Sequence, residues 1–393
     1  MDTFIDNVLS FGSLGIATYG LFKNKWFTLG GVLGYCFSGI LLELFYTFLS
    51  KIFKNGGQKY VEQHQKKHQN YKKLGHFVYN DRYNITAGGI EKLHPFDSIK
   101  YSRVFNILKK NNIIKENEYL KPGKISRKQL LEFDLSLFYL LKLNLSAIIS
   151  KIIEVPVCFL PASLLRWRVL DPQLYATQGT LEGACLALEK GWSVNLAGGY
   201  HHAHKNGGEG FCIYPDISIA IDHLLKYHPL QVKKAMIIDL DAHQGNGHER
   251  DYINNPNVYI VDAYNRSIFP CDEYAKQGIQ KEILIFGIDS DQLYLEKITN
   301  AIKDAFQEFK PDFVLYNAGT DCMEGDPLGG LSLSPEAIIQ RDQIVFELCI
   351  QQNIPIEMVL SGGYQKENAP VIAKSLTKIY QQYGNKKYNR YMA

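Results

Sequence analysis

The chain has 393 residues, of which 46% are hydrophobic and 21% are charged, and this is the composition of an ordinary globular protein. The formal net charge of +3 is too small to indicate a nucleic acid or an acidic partner, so we expect no direct binding to nucleic acid. The seven cysteines are scattered and form no CxxC motif, which argues against a disulfide framework and against a cysteine-based zinc site.

The first predicted element is an N-terminal hydrophobic segment, residues 1–55, which we interpret as a membrane anchor. Residues 26–50 read WFTLGGVLGYCFSGILLELFYTFLS and contain one charged residue, Glu43. A transmembrane helix needs about 20 predominantly apolar residues, and basic residues commonly follow it on the cytosolic side. Three arrangements fit this pattern: a single anchor at 27–49, a two-pass or re-entrant hairpin with the apolar stretch 4–22, and a soluble helix packed on the following domain.

The next segments are polar. Residues 56–74 are rich in lysine and glutamine and predict a linker, and residues 386–393 predict a basic tail. The domain at residues 75–385 lies between the linker and the tail. Lysines directly after the predicted anchor favour a cytosolic position for this domain. We therefore expect a membrane-associated protein whose catalytic domain faces the cytosol.

Seven short apolar runs within this domain predict β-strands. Stretches with helical patterns separate the runs, which indicates a mostly parallel sheet flanked by helices in a single three-layer α/β domain. In such sheets ligands bind beyond the carboxyl ends of the strands. The candidate strands are 76–79, 193–197, 235–240, 257–262, 282–287, 312–317 and 356–361.

Four of these strands are followed at once by clusters of polar residues and glycine. The clusters are GGYHHAH after residue 197, DAHQGNGHE after residue 240, AGTDCMEGDPLGG after residue 317 and GGYQKE after residue 361. Such a concentration of His, Asp and Tyr at strand ends predicts a functional site at one edge of the sheet.

The second cluster suggests a metal site. Along an extended chain alternate side chains share a face, so Asp239, Asp241 and His243 point the same way if the strand continues to residue 243. Oxygen and nitrogen ligands without a thiolate suit zinc or a similar divalent ion. A catalytic zinc needs about three protein ligands and one open position, and Asp321 is the natural third ligand because it also follows a strand.

These segments resemble the zinc-dependent histone deacetylases, and most of all the class IV branch of that family. The resemblance extends from YNDRYNITAGGIEKLHPFD at 79–97 to MVLSGGYQKENA at 358–369, and the first 70 residues lie outside it. It is carried by the ordered matches DLDAHQGNGHERDY at 239–252, YNAGTDCMEGDPLGGLSLSP at 316–335 and SGGYQK at 361–366. The resemblance implies the arginase/deacetylase-like fold and leaves a nuclear location open beside the membrane.

The resemblance implies a zinc site with two adjacent acid–base groups. Asp241, His243 and Asp321 would be the zinc ligands, although the same ligand set also admits Fe²⁺. His202 would be the general base that takes a proton from the attacking water, and His201 would be its electrostatic or general-acid partner. A positioned imidazole typically contributes about 10²–10⁴-fold to the rate of such a proton transfer.

The resemblance also implies the groups that surround the substrate. Tyr364 would donate its hydroxyl to the substrate carbonyl, and Asp239 would orient His201. Gly210 and Phe211 match the wall of a channel for the aliphatic stem of a lysine, although core packing accounts for the phenylalanine equally well. Gly363, counted with the substrate-binding residues, would let the backbone turn so that the tyrosine reaches the metal.

One departure from the family pattern lies behind the histidine pair. Many family members have a second aspartate where this chain has Asn246. A neutral amide stabilises an imidazolium less than a carboxylate does. The resemblance implies that the class IV branch shares this asparagine, so we do not interpret it as a sign of inactivity.

The expected activity is therefore zinc-dependent hydrolysis of Nε-acyl-lysine amides in histones or other proteins. The class IV resemblance implies a preference for long fatty-acyl groups. An acetylpolyamine or other small-amide hydrolase, and a non-catalytic module that binds acyl-lysine, remain open. An arginase-type dimetal hydrolase is disfavoured because Gly245 and Met323 replace aspartates that such an enzyme needs to bridge two ions.

Overall fold

The computed structural model describes residues 71–86, 89, 97 and 99–386. The N-terminal hydrophobic segment, residues 1–55, lies outside these residues, and its role as a membrane anchor stays a prediction. Within the described part of the chain, no helix combines the length and the apolar character that crossing a membrane requires.

Seven strands form one sheet in which every described pairing is parallel, as the apolar runs predict. The order across the sheet is β1-β2-β7-β6-β3-β4-β5. The prediction of an α/β fold with a parallel sheet is confirmed. The strands are β1 Phe77–Val78, β2 Trp192–Asn195, β3 Ala235–Asp239, β4 Val258–Tyr264, β5 Lys281–Leu284, β6 Phe313–Asn317 and β7 Ile356–Val359.

Helices connect the strands, and side-chain caps mark the start of several of them. Before the two long helices that precede β6 and β7, the hydroxyls of Ser290 and Ser334 accept hydrogen bonds from backbone N–H groups in the first turn. The α-helices are α1 Lys100–Lys110, α2 Arg127–Glu132, α3 Leu137–Lys142, α4 Ser146–Ile152, α5 Ala162–Leu165, α6 Asp171–Lys190, α7 Asp216–Tyr227, α8 Asn246–Asp251, α9 Asp291–Phe309, α10 Pro335–Gln351 and α11 Asn368–Tyr383.

Alternate residues of the central strands face two hydrophobic cores. In β3, Met236 and Ile238 pack in a core shared with α1, α9, α10 and α11. Ala235 and Ile237 pack in a second core on the other face, shared with α6 and α7. Both faces of the sheet are covered, which is why its strands appear in the sequence as continuous apolar runs.

The strand order explains how the four polar clusters meet. Strands β2, β7, β6 and β3 are consecutive neighbours in the sheet. Their carboxyl ends therefore lie side by side at one edge, and each is followed by one of the four predicted clusters.

Candidate active site

Asp241, His243 and Asp321 form a buried cluster at this edge. The Nδ1 atom of His243 lies 3.1 Å from Oδ1 of Asp241 and 2.9 Å from Oδ2 of Asp321. One ligand atom from each residue lies within 4.8 Å of the others. Two carboxylates and one imidazole in this arrangement fit a divalent ion such as zinc, which binds oxygen and nitrogen ligands at about 2.0–2.2 Å.

The backbone is shaped closely around the two carboxylates. Oδ2 of Asp241 accepts hydrogen bonds from Ser361 Oγ and from the backbone N–H of Gly362, both at 2.9 Å. A Cβ atom on Gly362 would lie 2.4 Å from Oδ2 of Asp321 and 2.6 Å from Oδ2 of Asp241. Only glycine allows this close approach, so the turn after β7 is built around the carboxylate pair.

The charges of the cluster also favour a bound cation. Burial and the neighbouring charge of Asp241 raise the pKa of Asp321 to about 7. Burial acts to lower the pKa of His243, yet the two carboxylates raise it to about 10. Two buried carboxylates repel each other until a positive charge neutralises them, and either a proton on the imidazole or a metal ion can supply that charge.

His201 is held by a buried carboxylate, as the resemblance implies. Its Nδ1 atom donates to Oδ2 of Asp239 at 3.0 Å, and its Nε2 atom lies 3.6 Å from Oδ1 of Asp241. Burial opposes its protonation, but these two carboxylates raise the pKa of His201 to about 9. Asp239 is fixed in turn by Asn317 Nδ2 at 2.9 Å and by His248 Nε2 at 2.8 Å. The carboxylates of Asp239 and Asp241 therefore favour the protonated form of this imidazole.

His202 has the opposite electrostatic setting. Burial, followed by the charges of His201 and His243, lowers its pKa well below the ordinary value for a histidine. Its Nδ1 atom lies 2.8 Å from Oδ1 of Asn246. Because a carbonyl oxygen only accepts, Nδ1 carries the hydrogen and Nε2 keeps the lone pair. This neutral imidazole can accept a proton at Nε2.

Tyr364 lies beside the cluster of Asp241, His243 and Asp321, which we call the metal-ligand cluster. Its ring is 6.1 Å from the ring of His243, in an edge-on orientation. Its backbone N–H donates to Oδ2 of Asp326 at 2.9 Å. Gly363 before it has a φ of 126°, which L side chains rarely adopt, so its importance lies in the backbone turn. Burial, and then the charges of Asp321 and Asp241, raise the pKa of Tyr364 well above its usual value, so its hydroxyl remains a donor.

Gly210 and Phe211 form a left-handed turn beside His202, with φ values of 54° and 64°. A Cβ atom on Gly210 would lie 2.5 Å from Cδ2 of His202. The Phe211 side chain packs in part against the core under α6 and α7. The ring of Phe269, which is 41% exposed, stands edge-on to His202 at 4.9 Å. Phe269 therefore presents exposed aromatic surface next to the histidine pair.

Lys100 supports the tyrosine turn and was not predicted from the sequence. Its ammonium group is fully buried and donates to the carbonyl oxygens of Ser361 at 2.6 Å and Gly362 at 2.8 Å. These carbonyls belong to the turn that carries Tyr364. The lysine lies in a stretch with no motif, so only the packing of α1 reveals its role.

Arg341 connects two of the polar strand ends and was also missed. This fully buried side chain in α10 donates from Nη1 to the carbonyl of Leu240 at 3.1 Å and to that of Gly319 at 2.6 Å. Leu240 precedes Asp241 and Gly319 lies two residues before Asp321. One guanidinium thus fixes the backbone behind both aspartates of the metal-ligand cluster.

Two acidic side chains behind Asn246 explain why an amide fits this position. Its Nδ2 atom donates to Oε1 of Glu209 at 2.5 Å and to Oδ2 of Asp272 at 3.2 Å. Asp272 is itself held by Nε of Arg250 at 2.7 Å. Because both carboxylates require a donor, the amide must turn its oxygen towards His202. The tautomer of His202 is therefore set by residues outside the predicted motifs.

Replacing Asn246 by aspartate is expected to lower kcat/KM by about tenfold or more. The change places a third carboxylate against Glu209 and Asp272 and removes two hydrogen bonds to charged acceptors, each worth about 1.5–3 kcal/mol. Steady-state kinetics of Asn246→Asp test this, and adding Glu209→Gln to that variant is expected to restore part of the activity. Wild-type kinetics for Asn246→Asp alone would contradict the explanation.

The described geometry agrees with the similarity of this chain to known proteins. A family model described as "Histone deacetylase domain" matches residues 94–380. Histone deacetylase 2 of Arabidopsis thaliana is 42% identical over 306 residues, which cover 78% of this chain and 78% of that protein. Human histone deacetylase 1 is 32% identical over 185 residues, which cover 45% of this chain and 36% of that protein.

Similarity of structure supports the same fold. The crystal structure of the HDA15 HD domain superposes with a TM-score of 0.62 over 80% of this chain and 90% of that chain. The two sequences are 18% identical, so this match concerns the fold alone. An uncharacterized protein of Picosynechococcus sp. is 35% identical over 199 residues, covering 50% of this chain and 64% of that protein.

Proposed function

The chain belongs to the histone deacetylase family and is an amide hydrolase of that type, and from this premise we propose that it hydrolyses Nε-acyl-lysine amides of histones or other proteins. We take residues 75–385 as the catalytic domain. One observation carries the proposal: the buried cluster of Asp241, His243 and Asp321 adjoins a neutral imidazole, His202. A metal site beside a neutral base suits the hydrolysis of an unactivated amide by a bound water.

The residues of the chain have separate tasks in this reaction. A zinc ion held by Asp241, His243 and Asp321 would supply the Lewis acidity that polarises the amide carbonyl and lowers the pKa of water. His202 accepts the proton of the attacking water at Nε2, because Asn246 holds its Nδ1 hydrogen.

Two further side chains act as proton or hydrogen-bond donors in this reaction. His201, kept protonated by Asp239, can give its Nε2 proton to the departing lysine amine. Tyr364 donates its hydroxyl to the oxyanion, and one preorganised donor of this kind is worth about 2.7–4 kcal/mol. The raised pKa of Tyr364 keeps that hydroxyl protonated. His201 and His202 thus serve opposite roles because their environments move their pKa values in opposite directions.

We further propose that the chain is of the class IV type and prefers long fatty-acyl groups to acetyl. The support is the sequence DLDAHQGNGHERDY at 239–252, with an asparagine behind the histidine pair. The exposed ring of Phe269 next to His202 offers apolar surface to an acyl chain or to the lysine stem.

A paired-substrate assay tests both levels of the proposal. Full-length protein loaded with zinc is given one peptide in an acetyl-lysine and a myristoyl-lysine form and, separately, an acetylpolyamine. We expect kcat/KM to be at least about tenfold higher for the myristoyl peptide than for the acetyl peptide. Asp241→Asn, which removes a metal ligand, is the inactive control. Turnover of acetyl-lysine alone would retain the deacetylase and reject the fatty-acyl preference, and turnover of an acetylpolyamine alone would favour the small-amide alternative.

A further inference from the structure

A second cluster of metal-ligating side chains lies between α6 and α7. Cys185 belongs to α6, His223 belongs to α7, and His228 directly follows the end of α7. One ligand atom from each residue lies within 4.8 Å of the others, and Sγ of Cys185 is 3.9 Å from Nε2 of His228. We propose that these three side chains form a separate binding site for a structural zinc ion.

The topology places this cluster away from the catalytic site. The C-terminal end of α6 leads into the start of β2, and the C-terminal end of α7 leads towards the start of β3. In a parallel sheet all strand starts lie at the same edge, opposite to the edge where the strands end. The cluster therefore belongs to the amino edge of the sheet, whereas Asp241 and Asp321 lie at the carboxyl edge.

The ligand types select the ion. A thiolate with two imidazoles suits zinc, with distances of about 2.3 Å to sulfur and about 2.0–2.1 Å to nitrogen. In a tetrahedral site these lengths put sulfur and nitrogen about 3.5 Å apart. The observed 3.9 Å between Cys185 and His228 needs to shorten by only a few tenths of an ångström. On binding, the thiol releases its proton to solvent and the thiolate becomes a ligand.

The two histidines are already oriented for this role. Nδ1 of His228 lies 3.2 Å from Oε1 of Gln231, a carbonyl-type acceptor, so Nδ1 carries the hydrogen and Nε2 presents its lone pair to Cys185. Metal-bound histidines usually show such a hydrogen bond from the second ring nitrogen. The ring of His223 is fixed by ring contacts with Phe133 at 5.8 Å and Tyr227 at 5.1 Å.

The three side chains of this cluster differ in their exposure to solvent. Cys185 and His223 are fully buried, whereas His228 is partly exposed. The ion can enter past His228, and a fourth position is left for water on the solvent side. A bound ion would clamp the end of α7 to α6, immediately before the chain enters β3, which leads to Asp241.

Cobalt substitution provides a test that does not depend on hydrolysis. Full-length protein is stripped of metal and titrated with Co²⁺, and a thiolate-to-cobalt charge-transfer band is recorded. Among the described candidate metal clusters, the cluster of Asp241, His243 and Asp321 contains no sulfur and that of Cys185 does, and the cysteine variants assign the band. We expect the band in the wild type and in Asp241→Asn. We expect Cys185→Ser to lose the band and to bind one Co²⁺ ion fewer per chain. Cys349→Ser, which removes another buried thiol, should keep the band and the number of bound ions unchanged.

A second variant covers the case in which Cys185→Ser does not fold. His228→Gln alters the partly exposed ligand, and we expect it to fold and to bind the thiolate-associated Co²⁺ at least about tenfold more weakly. A wild-type protein that binds one ion per chain and shows no charge-transfer band at saturating Co²⁺ would overturn the proposal. So would a band that persists in Cys185→Ser.

Discussion

Replacing His202 by alanine is expected to lower kcat for amide hydrolysis by about 10²–10⁴-fold and to leave the zinc content unchanged. In the proposed mechanism this imidazole accepts a proton, and it does not belong to the cluster of Asp241, His243 and Asp321. Metal analysis and steady-state kinetics on the same preparation check both parts. His204→Ala, which removes a histidine two residues further on, is the matched control and should keep most of the activity.

The pH dependence follows from the same pair of histidines. His202 must be neutral to act, and its lowered pKa places the fall in kcat/KM on the acid side below pH 6.5. His201 must be protonated, and its pKa, raised to about 9, places the fall on the alkaline side. A bound cation disfavours the protonated imidazole and so moves the alkaline limit to lower pH.

For the alanine variant, retained activity or a loss of bound zinc in His202→Ala would show that this histidine has a different role.

Replacing Arg341 by methionine is expected to lower the free energy of unfolding by about 3–5 kcal/mol, because it leaves the buried carboxylate of Asp342 without its cationic partner. The same change removes the hydrogen bonds to Leu240 and Gly319 that hold the backbone behind both aspartate ligands. We therefore also expect zinc affinity to fall by about 10–100-fold, the usual effect of losing outer support in a metal site.

Urea unfolding and competition titration against a zinc chelator measure the two effects of Arg341→Met. Arg341→Lys is the informative companion, because a lysine keeps the charge but lacks the planar fork that spans two carbonyls. We expect it to recover more of the unfolding free energy than of the zinc affinity. Unchanged zinc affinity in both variants would mean that Arg341 supports the core but not the ligands.

Much of this architecture could be predicted from local patterns. A sheet buried on both faces requires continuous apolar runs, and the ligand-bearing sequences follow those runs directly, as at Asp241 and Asp321. The order of the strands could not be predicted, because neighbours such as β2 and β7 are distant in the sequence. That order decides that the histidine pair and Tyr364 face the same cluster.

The buried charged residues that support the site could not be predicted for a related reason. Lys100 and Arg341 look like solvent-exposed residues of amphipathic helices, and only the packing of α1 and α10 on the strand ends buries them. The proposed zinc site at Cys185 and His228 also could not be predicted, because these residues are 43 positions apart in the sequence. Cysteine spacing argued against a thiolate zinc site, but spacing detects only ligands that are close along the chain.

The distribution of the catalytic donors over distant strand ends has a consequence for biosynthesis. Asp241 and the glycine turn that cradles it are separated by 121 residues. At about 5–20 residues per second, the ribosome needs about 6–24 s to make that interval. Throughout this time Tyr364 is absent from the emerging polypeptide, and Asp321 is added only 80 residues after Asp241. A translation product that stops before Tyr364 therefore lacks one of the proposed catalytic groups, and hydrolysis by this mechanism requires that synthesis has passed this residue.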